Sequence, residues 1–445
     1  MKKRELVFIA SSGIACFSTN TAAVGFALEQ QSVSNLGYAF AGGAASAEDA
    51  STIFWNPAGM TRLPGRQAVL GLNAIYGSAR FTNQGTTSPA GPAFPITGGE
   101  GGNPAGLNWV PNLYYATDVR PDLKAGIGIN SPFGLKTKYP ADWMGRYHAI
   151  DSELQSVNIN PAIAWQVRNG VSVGGGVNLQ YFDATLSNAI DYGAACFGSA
   201  FGPAACTAAG ITPQARDGIA KVNGDSWGLG WNVGALFEMT PAARLGIAYR
   251  SSIKHEIKGR ATFENPSLPG AFAALTAGAQ DTGARATIKT PDMLSLSLYG
   301  EISPKWSLLG DLTWTGWSKF NELRVRFDNG SPDAVTPENW RNTVRVSLGA
   351  GYKLNDRWTL RGGIAYESSP IRDEFRTPRI PDNAHRLVGL GSNYKVSKAG
   401  SLDFGYMHAF VKDAPVNTST PTAGTLAGNY KVRADVLSLQ YNHSF

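Results

Sequence analysis

Val344-Arg345-Val346-Ser347-Leu348-Gly349-Ala350-Gly351-Tyr352-Lys353 decides the fold class. Successive side chains of an extended chain point to opposite faces. Val344, Val346, Leu348, Ala350 and Tyr352 therefore share one face, and Arg345, Ser347, Gly349, Gly351 and Lys353 the other. About ten such residues cross a bilayer core as a tilted strand. A soluble sandwich also has half-buried strands. It gives no reason for charges among Gly and Ser on one face and a uniformly apolar opposite face, whereas a polar lumen and a lipid face explain both.

The pattern recurs in both directions. Trp358, Leu360, Ile364 and Tyr366 oppose Thr359, Arg361 and Glu367; Leu294, Leu296 and Leu298 oppose Ser295, Ser297 and Glu301. Val173, Val177 and Leu179 oppose Ser172, Asn178 and Gln180, and Leu437, Leu439, Tyr441, His443 and Phe445 alternate with polar residues. Fourteen segments qualify: 66–81, 107–119, 123–136, 154–167, 171–188, 225–239, 243–262, 284–302, 306–327, 340–354, 358–372, 384–396, 400–414 and 429–445. An even count suits a single-chain bacterial barrel, and short turns alternating with long loops assign the periplasmic and extracellular ends. The expected fold is all-β, a 14-stranded antiparallel transmembrane barrel, with the wall over 66–445. Composition agrees: 52 Gly and 25 Pro interrupt helices, and 11 Trp, 16 Tyr and 20 Phe supply interfacial rings. No later stretch is apolar for long enough to span as a helix.

Lys2, Lys3 and Arg4, an apolar run over 6–17 and Thr21-Ala22-Ala23 read as a signal peptide over 1–23. A buried N-terminal helix and a lipoprotein leader using Cys16 are the other readings. The formal charge is +6; removing Lys2, Lys3, Arg4 and Glu5, net +2, leaves +4. There is no basic tract, so nucleic acid is not an expected partner. Export makes a Cys196–Cys206 disulfide across a short, helix-poor loop plausible, with two free thiols as the alternative. No histidine lies near either cysteine, and no metal or cofactor is expected. His148, His255, His385, His408 and His443 are scattered, and no catalytic motif accompanies them. Gly174-Gly175-Gly176 lies inside a strand and reads as a bend or a close approach, not a phosphate loop.

Residues 24–65 do not alternate. Val24 to Leu28 are apolar, 36–45 are small, and Glu48-Asp49 precede an Asn56-Pro57 break. A barrel of this size has a lumen wider than its own side chains fill. The segment is expected to be a hatch inside it.

Gly25-Phe26, Glu48-Asp49-Ala50, Asn56-Pro57-Ala58-Gly59-Met60, Ser131-Pro132-Phe133-Gly134-Leu135, Trp143-Met144-Gly145-Arg146-Tyr147 and Pro381-Asp382-Asn383 together resemble the FadL family of outer-membrane transporters. The resemblance spans the whole mature chain. It implies a fourteen-stranded barrel with an N-terminal hatch in which Asn56, Pro57, Ala58 and Gly59 form the hatch motif. It implies that the end near Phe26 and Leu28 reaches the ligand pocket as a gate. It further implies a kink in the third strand that opens the wall laterally, for which Gly126, Gly128 and Asn130 are the candidate positions. Basic residues hold a carboxylate in the family; Arg345, Arg361 and Arg146 are the candidates, with wall charge networks (Glu367 among them) or loop fastening as the alternative roles. The expectation is a non-enzyme of the Gram-negative outer membrane for passive uptake of long-chain fatty acids: capture at the loops, binding in an apolar pocket, and lateral release. Aromatic hydrocarbons are the alternative cargo, and a structural or adhesion barrel the rival class. Expected partners are the hydrophobic ligand, outer-membrane lipid or lipopolysaccharide, and the barrel-assembly machinery, which recognises a terminal strand ending in an aromatic such as Phe445. The chain is expected to be a monomer.

Overall fold

The computed structural model describes residues 25–445, so the expected signal peptide lies outside the described residues. From Gln67 on, the chain forms a ring of fourteen antiparallel strands. They are β1 (Gln67–Asn83), β2 (Gly106–Arg120), β3 (Leu123–Asn130, resuming over Gly134–Lys138), β4 (Asp151–Arg168), β5 (Val171–Asp191), β6 (Asp217–Thr240) and β7 (Ala243–Arg250 and Lys254–Glu264). They continue with β8 (Thr282–Lys289 and Met293–Glu301), β9 (Trp306–Thr315 and Glu322–Phe327), β10 (Thr343–Lys353), β11 (Trp358–Glu367), β12 (His385–Lys395), β13 (Gly400–Val411) and β14 (Gly424–Ser444). β14 pairs with β1 from Gln67↔Ser444 to Asn83↔Gly428, which closes the ring. Closure pairs the strands around the ring, as a medium without water requires of backbone polar groups, except where β3 is interrupted.

The faces are inverted relative to a soluble protein. Val346 and Leu348 of β10 are 48% and 60% exposed, while Arg345 and Ser347 are each 1% exposed. Lipid supplies the missing apolar solvent outside, and the hatch covers the polar face inside.

The structure differs from the sequence reading inside four strands. β3, β7, β8 and β9 are each interrupted, at 131–133, 251–253, 290–292 and 316–321. Alternation continues across the first three gaps, so periodicity alone runs the pieces together; Pro132 and Pro291 remove ladder donors there. β5 and β6 extend farther outward than expected, and the cysteine loop is not helix-poor. It folds as two short helices, α1 (Tyr192–Phe197) and α2 (Gly202–Ala208). Asp191 caps α1 by accepting from Ala194 N, Pro203 sits at the start of α2, and Cys196 and Cys206 are bridged.

Residues 25–65 touch strands on opposite sides of the ring and therefore lie within it. Leu36, Ile53 and Met60 are fully buried. Wall glycines make this possible. A Cβ on Gly363 would stand 2.0 Å from Tyr38 O, one on Gly246 1.9 Å from Ala44 O, and one on Gly174 2.5 Å from Ala58 N. The hatch main chain lies directly on the wall at these points, so Gly174 of the Gly174-Gly175-Gly176 run serves close packing against the hatch, and Gly176 makes room for Asn160 of the wall.

Candidate functional site

Phe26, 2% exposed, sits in a box of rings. Its centroid lies 4.7 Å from Trp317, 5.6 Å from Trp340, 5.7 Å from Phe320 and 5.9 Å from Phe133. Trp317 and Phe320 belong to the interruption in β9, whose irregular backbone turns both rings inward. Leu28 is equally buried. Gly25 N donates to Asp382 Oδ2 (2.8 Å), and Asp382 Oδ1 accepts from His385 Nε2 (2.6 Å). Gly25 has φ +68°, and an added Cβ would meet Trp340 at 2.6 Å. Only glycine fits that turn and that contact.

Behind Phe26 lies an apolar cavity of about 80 Å³ lined by Leu135, Leu154, Leu186, Ile257, Ile288 and Val325. Two polar side chains in its lining come from the loops, Arg379 and Glu338. Arg379 Nη1 donates to Ser152 Oγ (2.9 Å), Asp151 O (3.2 Å) and Ser187 O (3.3 Å). No carboxylate of the described residues lies within ion-pair range of it. Desolvation lowers its pKa to about 10, so it stays charged at neutral pH. Glu338 accepts from Trp340 Nε1 (2.8 Å), and burial pushes its carboxyl up to about 8. Glu153 and Arg285 also line it, paired with Lys136 and Asp328, which leaves Arg379 as the lining cation without a carboxylate in ion-pair range; such a chamber suits an apolar ligand bearing an anionic head. The sequence reading missed both residues and the box. The run Trp317-Ser318-Lys319-Phe320, which breaks alternation, was the available signal.

The three basic candidates have protein partners. Arg345, 1% exposed, donates to Glu29 of the hatch and pairs with Asp311 at 3.6 Å. Arg361 pairs with Glu48 of the hatch at 2.6 Å and with Asp403 of the wall. Arg146 donates to Asp217 Oδ2 (2.7 Å), Tyr147 OH (2.9 Å) and Thr97 O (3.0 Å), which ties three loop regions together. The hatch motif is anchored in the same way. Asn56 Nδ2 donates to Ala44 O (2.7 Å) and Ala235 O (3.0 Å), and Asn56 Oδ1 accepts from Ala58 N (3.1 Å). Pro57 opens a 3-10 helix over Pro57–Arg62, and Gly59 leaves no room for a Cβ beside Thr52 Oγ1, at 2.2 Å.

The third strand breaks just past Asn130, not at the two glycines. Gly126 and Gly128 lie in regular pairs, Ala116↔Gly126 and Tyr114↔Gly128. Their missing side chains admit Ile53 and Met60 of the hatch and the Tyr114 ring. Beyond Asn130, β3 resumes on β4 alone, so the outer half of β2 has no partner from β3. The N-terminal end occupies the break. Leu28 N donates to Pro132 O (2.8 Å), Gly134 N to Phe26 O (2.9 Å), and Ala27 bridges Phe133.

No group of His, Cys, Asp and Glu able to hold a metal occurs among the described residues. Ser226 Oγ meets His255 Nδ1 at 3.0 Å, and His255 Nε2 meets Gln180 Oε1 at 2.9 Å. His255 is fully buried under Phe182, so this trio is a wall cross-link.

The family model described as outer membrane protein transport protein (OMPP1/FadL/TodX) matches residues 14–445. The long-chain fatty acid transport protein of Escherichia coli K12 is 31% identical over 89% of this chain and 90% of its own length. Outer membrane protein P1 of Haemophilus influenzae is 28% identical over the whole of both chains. A crystal structure of a Pseudomonas aeruginosa FadL homologue superposes with a TM-score of 0.85 at 25% identity, over 95% of this chain and all of that one. The Pseudomonas putida toluene transporter TodX, at 20% identity, superposes with a TM-score of 0.68 over 89% and 94%. The chain belongs to this family. It is a non-catalytic transporter of hydrophobic small molecules in the Gram-negative outer membrane.

Proposed function

We propose, on the premise of that membership, that the chain takes up long-chain fatty acids by passive diffusion through a gated wall. The observation that carries this reading is Arg379, a charged guanidinium without a carboxylate partner in the lining of an apolar cavity. An ionised fatty acid supplies the missing charge; toluene does not. Removing the alkyl chain from water contributes roughly 25 cal/mol per Å², and the arginine fixes which end leads. Capture begins on the loop surface where Phe201 packs on Phe272 (4.5 Å) and Phe94 on Phe197 (5.2 Å). Withdrawal of the Phe26 end then joins the cavity to the break in β3, and the ligand leaves sideways toward the bilayer. Residues 24–65 act as the hatch, with Asn56, Pro57, Ala58 and Gly59 as its fixed part. The protein works as a monomer inserted by the barrel-assembly machinery.

The test is binding of oleate and oleyl alcohol to purified protein, wild type against Arg379→Met. We expect oleate affinity to fall by about tenfold or more, as for loss of a charge-assisted contact, with oleyl alcohol little changed. Equal losses for both ligands would remove Arg379 as a carboxylate partner. Uptake of labelled toluene but not labelled oleate, by cells lacking their own transporter, would select the aromatic cargo.

A further inference from the structure

The outer face of the wall from β12 to β1 carries five cations with no carboxylate of the described residues in ion-pair range; Arg433 alone feels a nearby acid, Asp435. Arg80 of β1 stands directly opposite Lys431 of β14. Two residues along β14 is Arg433, which faces Phe410 of β13, which in turn faces Arg386 of β12. Lys412 lies two residues beyond Phe410. All five cations are exposed; strand phase puts Arg80, Arg386, Lys431 and Arg433 outside, and Lys412 follows the end of β13. They continue the rows Leu70, Leu72, Tyr76 on β1, Leu439 and Leu437 on β14, and Phe404, Tyr406 and Phe410 on β13.

None of the five is in an ion pair among the described residues. Asp435, the acid of this band, already accepts from His408 Nδ1 (2.7 Å) and Tyr406 OH (2.8 Å). Glu100 and Asp413 lie outside ion-pair range of all five. The opposite face, β7 to β9, is built differently. There Lys254 pairs with Glu256, Arg285 with Asp328, Arg324 with Glu322 and Asp333, and Lys319 with Asp292. Lys258, Arg260 and Lys289 stand among those pairs without one.

Like charges placed directly opposite weaken a ladder, so the Arg80–Lys431 pair costs stability unless an anion lies between them. The height of the band identifies the anion. Tyr76, Tyr366, Tyr406 and Phe410 mark the upper edge of the apolar belt, on the long-loop side. The cations sit at and just above that edge, level with outer-leaflet headgroups. We propose that this face binds the phosphorylated sugar headgroup of an outer-leaflet glycolipid, the lipid A part of lipopolysaccharide. Arg80, Lys431 and Arg433 form its core and Arg386 and Lys412 its flank. Guanidinium groups grip phosphate oxygens in pairs, while Phe410 and Tyr76 lie against the acyl chains below.

The experiment is native mass spectrometry of the purified barrel in detergent. Diphosphoryl lipid A, dephosphorylated lipid A and phosphatidylglycerol are added in separate runs. We expect diphosphoryl lipid A to be retained over both others, and Arg80→Gln/Lys431→Gln/Arg433→Gln to reduce its retention by about tenfold. Lys254→Gln/Lys258→Gln/Lys289→Gln, on the other face, should leave retention unchanged. Arg80→Lys/Arg433→Lys should keep most of it. Equal retention of dephosphorylated lipid A, equal retention of phosphatidylglycerol, or no effect of the first triple variant would each overturn the proposal. If the triple variant does not fold, as judged by heat-modifiable gel mobility, Arg386→Gln/Lys412→Gln gives the same readout with a smaller expected loss.

Discussion

The two ends of the hatch are fastened by different chemistry. From Glu29 to Arg62 the hatch is packed into the core and, in addition, tied to the wall by charge. Glu29 meets Arg345, Glu48 meets Arg361, Arg62 meets Glu238 at 2.7 Å, and Asp49 accepts from Gln440 Nε2 at 2.8 Å. From Gly25 to Leu28 it is held by ring contacts and by a few main-chain bonds to a broken strand, with Asp382 as its one carboxylate contact. Buried ion pairs are costly to separate because each half is stranded in a low dielectric. Ring contacts separate in small steps, and an apolar ligand can replace them. A plug that must stay seated while its tip moves needs this division.

The division breaks most visibly at Arg345. Arg345→Ala leaves Glu29, Asp311 and Glu367 facing one another in the lumen without their cation. Removing one partner of a buried pair costs about 3–5 kcal/mol, and urea unfolding followed by tryptophan fluorescence should show a loss of that size. A loss below about 1 kcal/mol would mean that water reaches the cluster, and that charge does not seat the hatch.

A smaller effect on stability is expected at the tip. Truncating a phenylalanine embedded in a rigid core costs about 3–5 kcal/mol. If the tip opens independently of the barrel, Phe26→Ala should instead cost less than about 1 kcal/mol in the same unfolding experiment. Oleate should dissociate about tenfold faster, since the box that closes the cavity has lost its central ring. A stability cost equal to that of Arg345→Ala would merge the two ends into one rigid unit and rule out the gate.

The anchored end was more legible in the sequence than the tip, for a physical reason. A wall strand announces itself through period-two alternation, a local property, and Asn56-Pro57 announces a chain break. Both survive in one dimension. The box around Phe26 draws on Trp317, Phe320 and Trp340 of one connection and on Phe133 of the distant β3, and only the folded barrel brings these to the hatch. Arg379 was passed over because its loop has no periodicity to place it, whereas Arg345 and Arg361 stood out by phase alone. Phase correctly put those two inside the barrel but could not say whether ligand or hatch would meet them. The glycines of β3 misled for a related reason. Glycine permits a kink and also permits close packing, and the sequence does not separate these uses. Here Gly126 serves Ile53 and Met60, and Pro132 makes the break.

The smallest effect probes whether the tip's cavity has charge chemistry of its own. Glu338 has its carboxyl pushed up to about 8 by burial, with Arg379 the cation opposing that rise. At pH 7 it is mostly neutral, which leaves the field of Arg379 to the ligand. As pH rises through 8 it ionises, competes for Arg379 and repels an anionic head, so affinity should fall by up to about tenfold per pH unit above that point. Stability follows the same sign. A folded value above the ordinary 4.5 gives a contribution that is complete below about 4.5 and is lost as pH approaches 8. An alkyl sulfonate is the right probe, because its own head does not titrate in this range and any pH dependence then belongs to the protein. Glu338→Gln should flatten the profile between pH 6 and about pH 9 while leaving Arg345-dependent unfolding unchanged. If the variant keeps the wild-type slope, the titrating group lies elsewhere, and the cavity holds its ligand by apolar contact and Arg379 without help from Glu338.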